Sequence, residues 1–292
     1  MSGWLAIVNP AAGRRGESGA AVRVLTGHSR LAAAVETTTA PGHATELARG
    51  ASEFHGIVAV GGDGTIAEVL AGMDIARQRL AVIPAGHGNC LARDLGITRP
   101  QAAVAALERG HARPIDLMQV DIGFGDARTE RRWAASTVAV GYVCDVVRNG
   151  FRLSWLGHRA YAAAAAITIP RALGARVALL DGAEMLPGLT GIVVNNTAHL
   201  ANFRAFADAR FDDGRLEVME NAARWPRQML HNGAVLARSR AFGAARVRQS
   251  PRAKVDLDAP GRLMVDGEIL EGVTRFTATC RRSAVACIVE VR

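Results

Sequence analysis

Ile57-Val58-Ala59-Val60-Gly61-Gly62-Asp63-Gly64-Thr65-Ile66-Ala67-Glu68 decides how the rest of the chain is read. Four apolar residues predict a buried strand. Gly61, Gly62 and Gly64 follow, with only Asp63 between them, and from Thr65 onward Ile66, Val69, Leu70 and Met73 recur at helical spacing. The order strand, glycine loop, helix N-terminus turns backbone N–H groups toward an approaching anion, and the helix dipole favours negative charge there. Asp63 alone would repel a phosphate, so it implies a divalent cation or a transferring proton between the two. The same stretch also reads as a strand-to-helix turn whose glycines serve geometry alone.

Neighbouring stretches repeat the pattern. Trp4-Leu5-Ala6-Ile7-Val8 predicts a strand and runs into the small-residue loop Asn9-Pro10-Ala11-Ala12-Gly13-Arg14-Arg15-Gly16. Leu80-Ala81-Val82-Ile83 opens into Pro84-Ala85-Gly86-His87-Gly88-Asn89 and then Cys90-Leu91-Ala92-Arg93. Helices are expected over Ser18 to Leu25 and Ala44 to Ala51, with a strand over Ala33 to Thr37 that ends at Thr38. Strands alternating with helices predict a parallel, doubly wound sheet whose carboxyl-end loops line one crevice. After Pro114 the expected strands are short: Ile115 to Ile122, Trp133 to Gly141, Arg176 to Leu180, Leu189 to Val194, Arg215 to Met219, Ala245 to Gln249, Lys254 to Leu257, Arg262 to Val265 and Thr274 to Thr279. Turn signals such as Asp212-Asp213-Gly214 and Asp266-Gly267 separate them, an all-β pattern that predicts a mostly antiparallel sandwich. An alanine-rich helical piece is expected over Gly157 to Leu173. The expected division is an α/β domain over residues 1–116, completed by a last strand near 284–292, and a β domain over 117–283.

The chain has 292 residues, 49% of them apolar, and a net charge of +8 carried almost wholly by arginine. Lys254 is the only lysine, which excludes the Walker-type phosphate loop and leaves little room for Schiff-base chemistry. Aromatic residues make up 5%, the arginines are dispersed and no recognition motif occurs, so nucleic acid is not an expected partner. Positive charge suits a nucleotide or an anionic membrane surface. Cys90, Cys144, Cys280 and Cys287 have neither metal-ligand nor disulfide spacing, so a reducing cytoplasm is expected. No signal peptide is read, and Ala160 to Ile169 is too short to span a bilayer, which needs about 20 residues.

Taken together, the motifs resemble the diacylglycerol kinase catalytic-domain family, which includes sphingosine kinases and bacterial lipid kinases. The matching residues are Val8 to Gly13; Gly61-Gly62-Asp63-Gly64-Thr65 with Glu68; Ile83 to Asn89 with Leu91-Ala92-Arg93; Val140 to Asp145; Leu156-Gly157 with Tyr161; Asn195-Asn196; Phe211 to Leu216; and Val265-Asp266-Gly267-Glu268. The Gly-Gly-Asp-Gly-Thr motif is shared with NAD kinases and phosphofructokinases, whose fold the first domain is expected to take.

The resemblance implies an ATP- and Mg²⁺-dependent kinase acting on a lipid hydroxyl at a membrane surface, with a homodimer left open. It implies nucleotide contacts at Asn9, Pro10, Ala11, Ala12, Gly13, Thr38, Gly62, Asp63, Gly64, Thr65, Glu68 and His87. Glu268 is implied as the catalytic base, with Asp266 supporting it and Asp63 serving the metal or its waters. A structural Mg²⁺ is implied at Asp213 with the carbonyls of Arg210 and Arg215, and a lipid-head contact at Asp145.

Departures from the family pattern keep alternatives open. His87 stands where many relatives have Thr or Ser, Cys90 replaces an aspartate common in diacylglycerol kinases, and Ala201-Asn202-Phe203 replaces a glycine-rich run. A lipid- or nucleotide-sensing member without turnover is one alternative, and an NAD kinase-like enzyme another. Asp266-Gly267 is in addition an ordinary hairpin pair. Phe151 to Arg159 mixes apolar residues with arginine and reads either as an interfacial lip or as a packed helix.

Overall fold

The computed structural model describes residues 3–13, 17–27, 33–86, 88–153, 160–169, 171, 173–179, 188–200, 203–222 and 245–290. Its first half alternates as the periodicity predicts: β1 (Trp4–Val8), α1 (Glu17–Thr26), β2 (Ala33–Thr37), α2 (His43–Gly50), β3 (Gly56–Gly61), α3 (Asp63–Gly72), β4 (Arg79–Pro84), α4 (Cys90–Asp94) and α5 (Pro100–Arg109). The four strands run parallel in the order β2-β1-β3-β4. Every residue of β1 and β3 is buried, as expected of strands covered on both faces, and this is why they read as unbroken apolar runs. The loops after β1, β3 and β4 therefore leave the same edge of the sheet.

The second half is rich in sheet: β5 (Ala112–Phe124), β6 (Thr129–Ala134), β7 (Thr137–Gly141), α6 (Tyr142–Arg152), α7 (Ala160–Ile167), β8 (Ala175–Leu179), β9 (Gly191–Asn195), β10 (His199–Leu200), β11 (Phe203–Arg204), β12 (Leu216–Asn221), β13 (Ala245–Ser250), β14 (Arg252–Val265) and β15 (Glu268–Ile288). The ladder β13-β12-β9-β7-β14-β15 continues into β4, because Ala286 and Cys287 of β15 pair in parallel with Arg79 and Leu80. Strand periodicity sorts the two faces. Val138, Val140, Ile192, Val194, Val218, Leu263 and Val265 enter one core with Met118, Val120 and Ile122 of β5. Their alternates Ala139, Val193, Met219 and Met264 pack on the opposite face with Cys144 of α6. The α/β first half and the sheet-rich second half agree with the expected fold class.

Several expected elements change. Trp133 to Gly141 is not one strand: it breaks at Ala135-Ser136, where the backbone N–H groups of Ala135, Ser136 and Thr137 turn onto the carboxylate of Asp266. Lys254 to Leu257 and Arg262 to Val265 are one strand, β14, carried through register shifts around Gly261. Thr274 to Thr279 and the last strand likewise fuse into β15. The helical insertion expected from Gly157 falls in part outside the described residues; α7 begins at Ala160, and α6, which precedes it, was not anticipated.

One buried acid ties three separate segments of the second half together. Asp116 of β5 accepts from the N–H of Gly214 at 2.6 Å and of Ser283 at 2.7 Å, while its own N–H donates to the Phe211 carbonyl at 2.7 Å. Asp116→Ala strips the buried Gly214 N–H and the part-buried Ser283 N–H of their acceptor, so we expect a loss of about 2–5 kcal/mol of stability. Urea denaturation checks this; a midpoint within error of the wild type contradicts it.

Candidate active site

Three loop glycines are needed for contact between backbones. A Cβ on Gly86 would lie 2.5 Å from the Cα of Gly62, and one on Gly13 (φ +68°) would lie 2.0 Å from the Ala85 carbonyl oxygen. The loops after β1, β3 and β4 thus rest on one another. Asn9 links two of them by donating Nδ2 to Thr65 Oγ1 at 3.1 Å, and its Oδ1 accepts from Ala11 N–H at 2.9 Å, shaping the turn through Pro10, Ala11 and Ala12. Asn89, itself in the left-handed region, closes the third loop by exchanging two hydrogen bonds with Gly86. Thr38 is buried and holds β2 to β1 through its N–H on the Val8 carbonyl, 2.9 Å. Glu68 faces α2, where Oε2 accepts from Ala44 N–H at 3.2 Å at that helix's N-terminus. His87 lies outside the described residues.

The helix after the second loop begins at Asp63. Its first intrahelical bond runs from Ile66 N–H to the Gly62 carbonyl, 3.1 Å, so the N–H groups of Gly64 and Thr65 come before the helical ladder and are available to an anion. Asp63 Oδ1 takes the Leu91 N–H at 3.4 Å. Enclosure pushes the Asp63 carboxyl above its ordinary range, against the pull of N–H groups at Cys90 and Leu91.

Opposite this helix end stands the turn of the β14–β15 hairpin. Val265 pairs with Glu268, leaving Asp266 (φ +45°) and Gly267 (φ +94°) as a two-residue turn with both φ angles positive. It is the hairpin turn that the Asp-Gly pair suggested. Its acid is 3% exposed and takes four hydrogen bonds: from Ala135 N–H (2.6 Å), Ser136 N–H (3.0 Å), Ser136 Oγ (2.6 Å) and Thr137 N–H (2.7 Å). Gly64 approaches the same turn, a Cβ there lying 3.7 Å from the Asp266 carbonyl oxygen. The fold therefore brings Asp63, Gly64, Thr65, Asn9 and Asp266 together, with Glu268 at the end of the turn. The Glu268 side chain is 55% exposed and meets Arg132 Nη1 at 2.6 Å.

Other sequence-derived residues lie apart. Asp145 of α6 pairs with Arg262, which also meets Glu271 at 3.2 Å, on the rim of a cleft of about 350 Å³. Arg262 alternates with Leu263 and Glu268 is opposite Val265, so Asp145 and Glu268 occupy opposite faces of the hairpin. Asp213 is in the turn that Asp116 holds, and its Oδ1 accepts from Arg215 N–H at 2.9 Å. The donor set implied there, one carboxylate with the Arg210 and Arg215 carbonyls, is all oxygen, as a hard cation requires. Among the described residues no group of three or more His, Cys, Asp or Glu is arranged to hold a metal.

One polar anchor, Asp94, escaped the sequence reading, and another, Asn196, stood there only as part of a motif with no role attached. Asp94, at the end of α4, binds His199 Nδ1 and the Ala198 N–H and so fastens α4 to the β9–β10 loop. Asn196 is buried and donates to the carbonyls of Asp116 (2.8 Å) and Ala135 (3.3 Å), while its Oδ1 has no protein partner.

Residues 3–120 match the family described as the diacylglycerol kinase catalytic domain. A diacylglycerol kinase of Bacillus subtilis is 48% identical over 90 residues, 29% of this chain and 30% of that protein. Sphingosine kinase 2 of Homo sapiens is 33% identical over 134 residues, 39% of this chain and 20% of that protein. The chain thus spans no more than about a third of the length of these two curated relatives. A crystal structure of a candidate diacylglycerol kinase from Bacillus anthracis superposes with a TM-score of 0.79 at 20% identity, covering 98% of this chain and 95% of that one, and so shares the fold. The resemblance drawn from the motifs is borne out.

Burial raises the Asp266 carboxyl from 3.8 to about 6, opposed by hydrogen bonds from Ser136, Thr137 and Ala135 and reinforced by the charge of Asp63. A carboxyl that holds its proton more tightly folded than unfolded favours the folded state below its unfolded value. That contribution is lost as pH rises through the folded value. The gap corresponds to about 3 kcal/mol. In EDTA, the unfolding free energy of the wild type relative to Asp266→Asn should fall by roughly that amount between about pH 4 and 6; a pH-independent difference contradicts the burial of this acid.

Proposed function

We propose that this chain, whose first 120 residues carry the resemblance to the diacylglycerol kinase catalytic domain, is a lipid kinase. In this reading it moves the γ-phosphoryl group of ATP to a hydroxyl of diacylglycerol or of a sphingoid base. The observation that carries the proposal is the Asp266-Gly267 turn seated against the N-terminus of α3, which brings Asp63 close to Asp266, with Glu268 next after the turn.

The residues present fit a nucleotide with its metal. The N–H groups of Gly64 and Thr65 lie ahead of the first helical bond, and Asp63 supplies a carboxylate oxygen, a set that suits Mg²⁺ shared with phosphate. When bound, Mg²⁺–ATP supplies the phosphoryl group with part of its charge neutralised. Gly64 and Thr65 hold phosphate oxygens, and Asp63 orients the metal or its waters. Glu268 accepts the proton of the attacking hydroxyl as its oxygen bonds to the phosphorus and the bridging oxygen of the diphosphate leaves. Asp266 is saturated with four donors and acts by fixing the turn. Asp145 is left as a contact to a part of the acceptor remote from the reacting hydroxyl.

A bilayer-borne acceptor needs a docking surface, and the proposal includes peripheral attachment. Ile167 and Ile169 are 62% and 66% exposed, and Arg152 and Arg171 are exposed as well. Most of the lip expected over Phe151 to Arg159 lies outside the described residues. No helix among the described residues is long and apolar enough to cross a membrane.

Asp63→Ala and Glu268→Ala should each lower phosphate transfer to diacylglycerol or sphingosine micelles by about 10²–10⁴-fold without unfolding the protein. Near-normal turnover in either variant removes that residue from its role. Ile167→Ser with Ile169→Ser should reduce flotation with phosphatidylglycerol vesicles; undiminished flotation contradicts docking through this patch.

A further inference from the structure

The parity of β6 places two charged side chains on its core face. Arg132 is paired with Val120, Glu130 with Ile122 and Ala134 with Met118, and all three partners belong to the core enclosed by the second half. Residues directly opposite one another in a ladder share a face, so Glu130 and Arg132 point inward beside Ala134. Because β5 is the one strand that β6 pairs with among the described residues, they sit at the rim of that core. Inward charges at an edge strand are a known guard against edge-to-edge pairing, but this pair has a specific target. Arg132 is 26% exposed and spans the rim, with Nε on Glu130 and Nη1 on Glu268 Oε2 at 2.6 Å. Glu130 is met in turn by Arg128 at 3.8 Å.

Glu268 has few other constraints. It is the first residue after the turn, its backbone is held by pairing with Val265, and more than half of its side chain is exposed. A free glutamate there would sample several rotamers, each placing the carboxylate differently. Arg132 selects among them, because its planar guanidinium is fixed at one edge by Glu130 and presents another edge to Glu268. Glu130 and Arg132 come from the strand that ends where Ala135, Ser136 and Thr137 grip Asp266. One short segment therefore sets both the turn and the carboxylate that follows it.

We propose that Arg132, oriented by Glu130, is a positioning residue that holds the Glu268 carboxylate in the geometry needed to take the acceptor hydroxyl's proton. The proposal rests on the reading of Glu268 as the base. Arg132 touches no reacting atom. Its loss misplaces a group that acts in the transfer step and leaves the glycine loops intact.

The test is a double-mutant cycle on transfer from ATP to a short-chain diacylglycerol and, in parallel, to sphingosine, in detergent micelles. Arg132→Met should lower kcat by about 10–100-fold with KM for ATP unchanged, since ångström-scale misplacement has that cost. Arg132→Lys, which keeps the charge, should recover part of the loss. In a Glu268→Gln background Arg132→Met should have no further effect on kcat, because the group it positions is gone. A purely structural arginine would lower melting temperature and would cut activity equally in both backgrounds, and either pattern overturns the proposal. Full kcat in Arg132→Met with Glu268→Gln inactive overturns it while leaving Glu268 as the base. Undiminished activity in Glu268→Gln, or no transfer to either acceptor by the wild type, removes the base reading and the proposal with it.

Discussion

The carboxylate of Asp266 is the point on which the site depends. Burying an ionised acid costs several kcal/mol unless its lone pairs are met, and here four donors from three consecutive residues meet them. Those donors are free only because the strand carrying them stops pairing at Ala135-Ser136. The break in one sheet element thereby fixes a turn in another, and the turn sets both Glu268 and the backbone that faces Gly64. Asp63 stands close enough for its charge to raise the Asp266 carboxyl further. Two acids held near each other, with no salt-bridge partner among the described residues, make a place where a cation or a proton is favoured.

Arginine does the work of lysine throughout. With a single lysine at Lys254, the site relies on backbone N–H groups at the α3 N-terminus and on planar guanidinium groups at its edge. The glycine loops accordingly lie against each other: Gly62 on Gly86 and Gly13 on Ala85. Loops packed on one another in this way gain stiffness, as the proposed phosphate contacts require. The electrostatic preference then comes from helix-end N–H groups whose orientation is already determined before a ligand arrives.

The first half was legible because β1, β3 and β4 are buried on both faces and announce themselves as unbroken apolar runs, each followed by a glycine loop. The second half was legible as sheet but not in its joints. Trp133 to Gly141 is apolar apart from Ser136 and Thr137, and that pair alone does not signal that the N–H groups of Ala135 to Thr137 go to an acid about 130 residues away. Gly261 was visible, but the register shift that lets β14 run through it was not. Among site residues, Asp63, Thr65, Asn9 and the Asp-Gly turn could be marked by motif and prove to be neighbours. Glu68 proves to face α2, and Asp145 lies on the far face of the hairpin. Arg132 and the Asp94–His199 pair carry no local signature, since their meaning depends on strand parity and on which loops meet.

The most direct test of the account is transfer of labelled γ-phosphate from Mg²⁺–ATP into a total lipid extract dispersed in micelles, followed by separation and mass analysis of the lipids. The account predicts a labelled lipid whose mass gives the acceptor. ATP binding without label in any lipid, across neutral and amine-bearing acceptors alike, would contradict it.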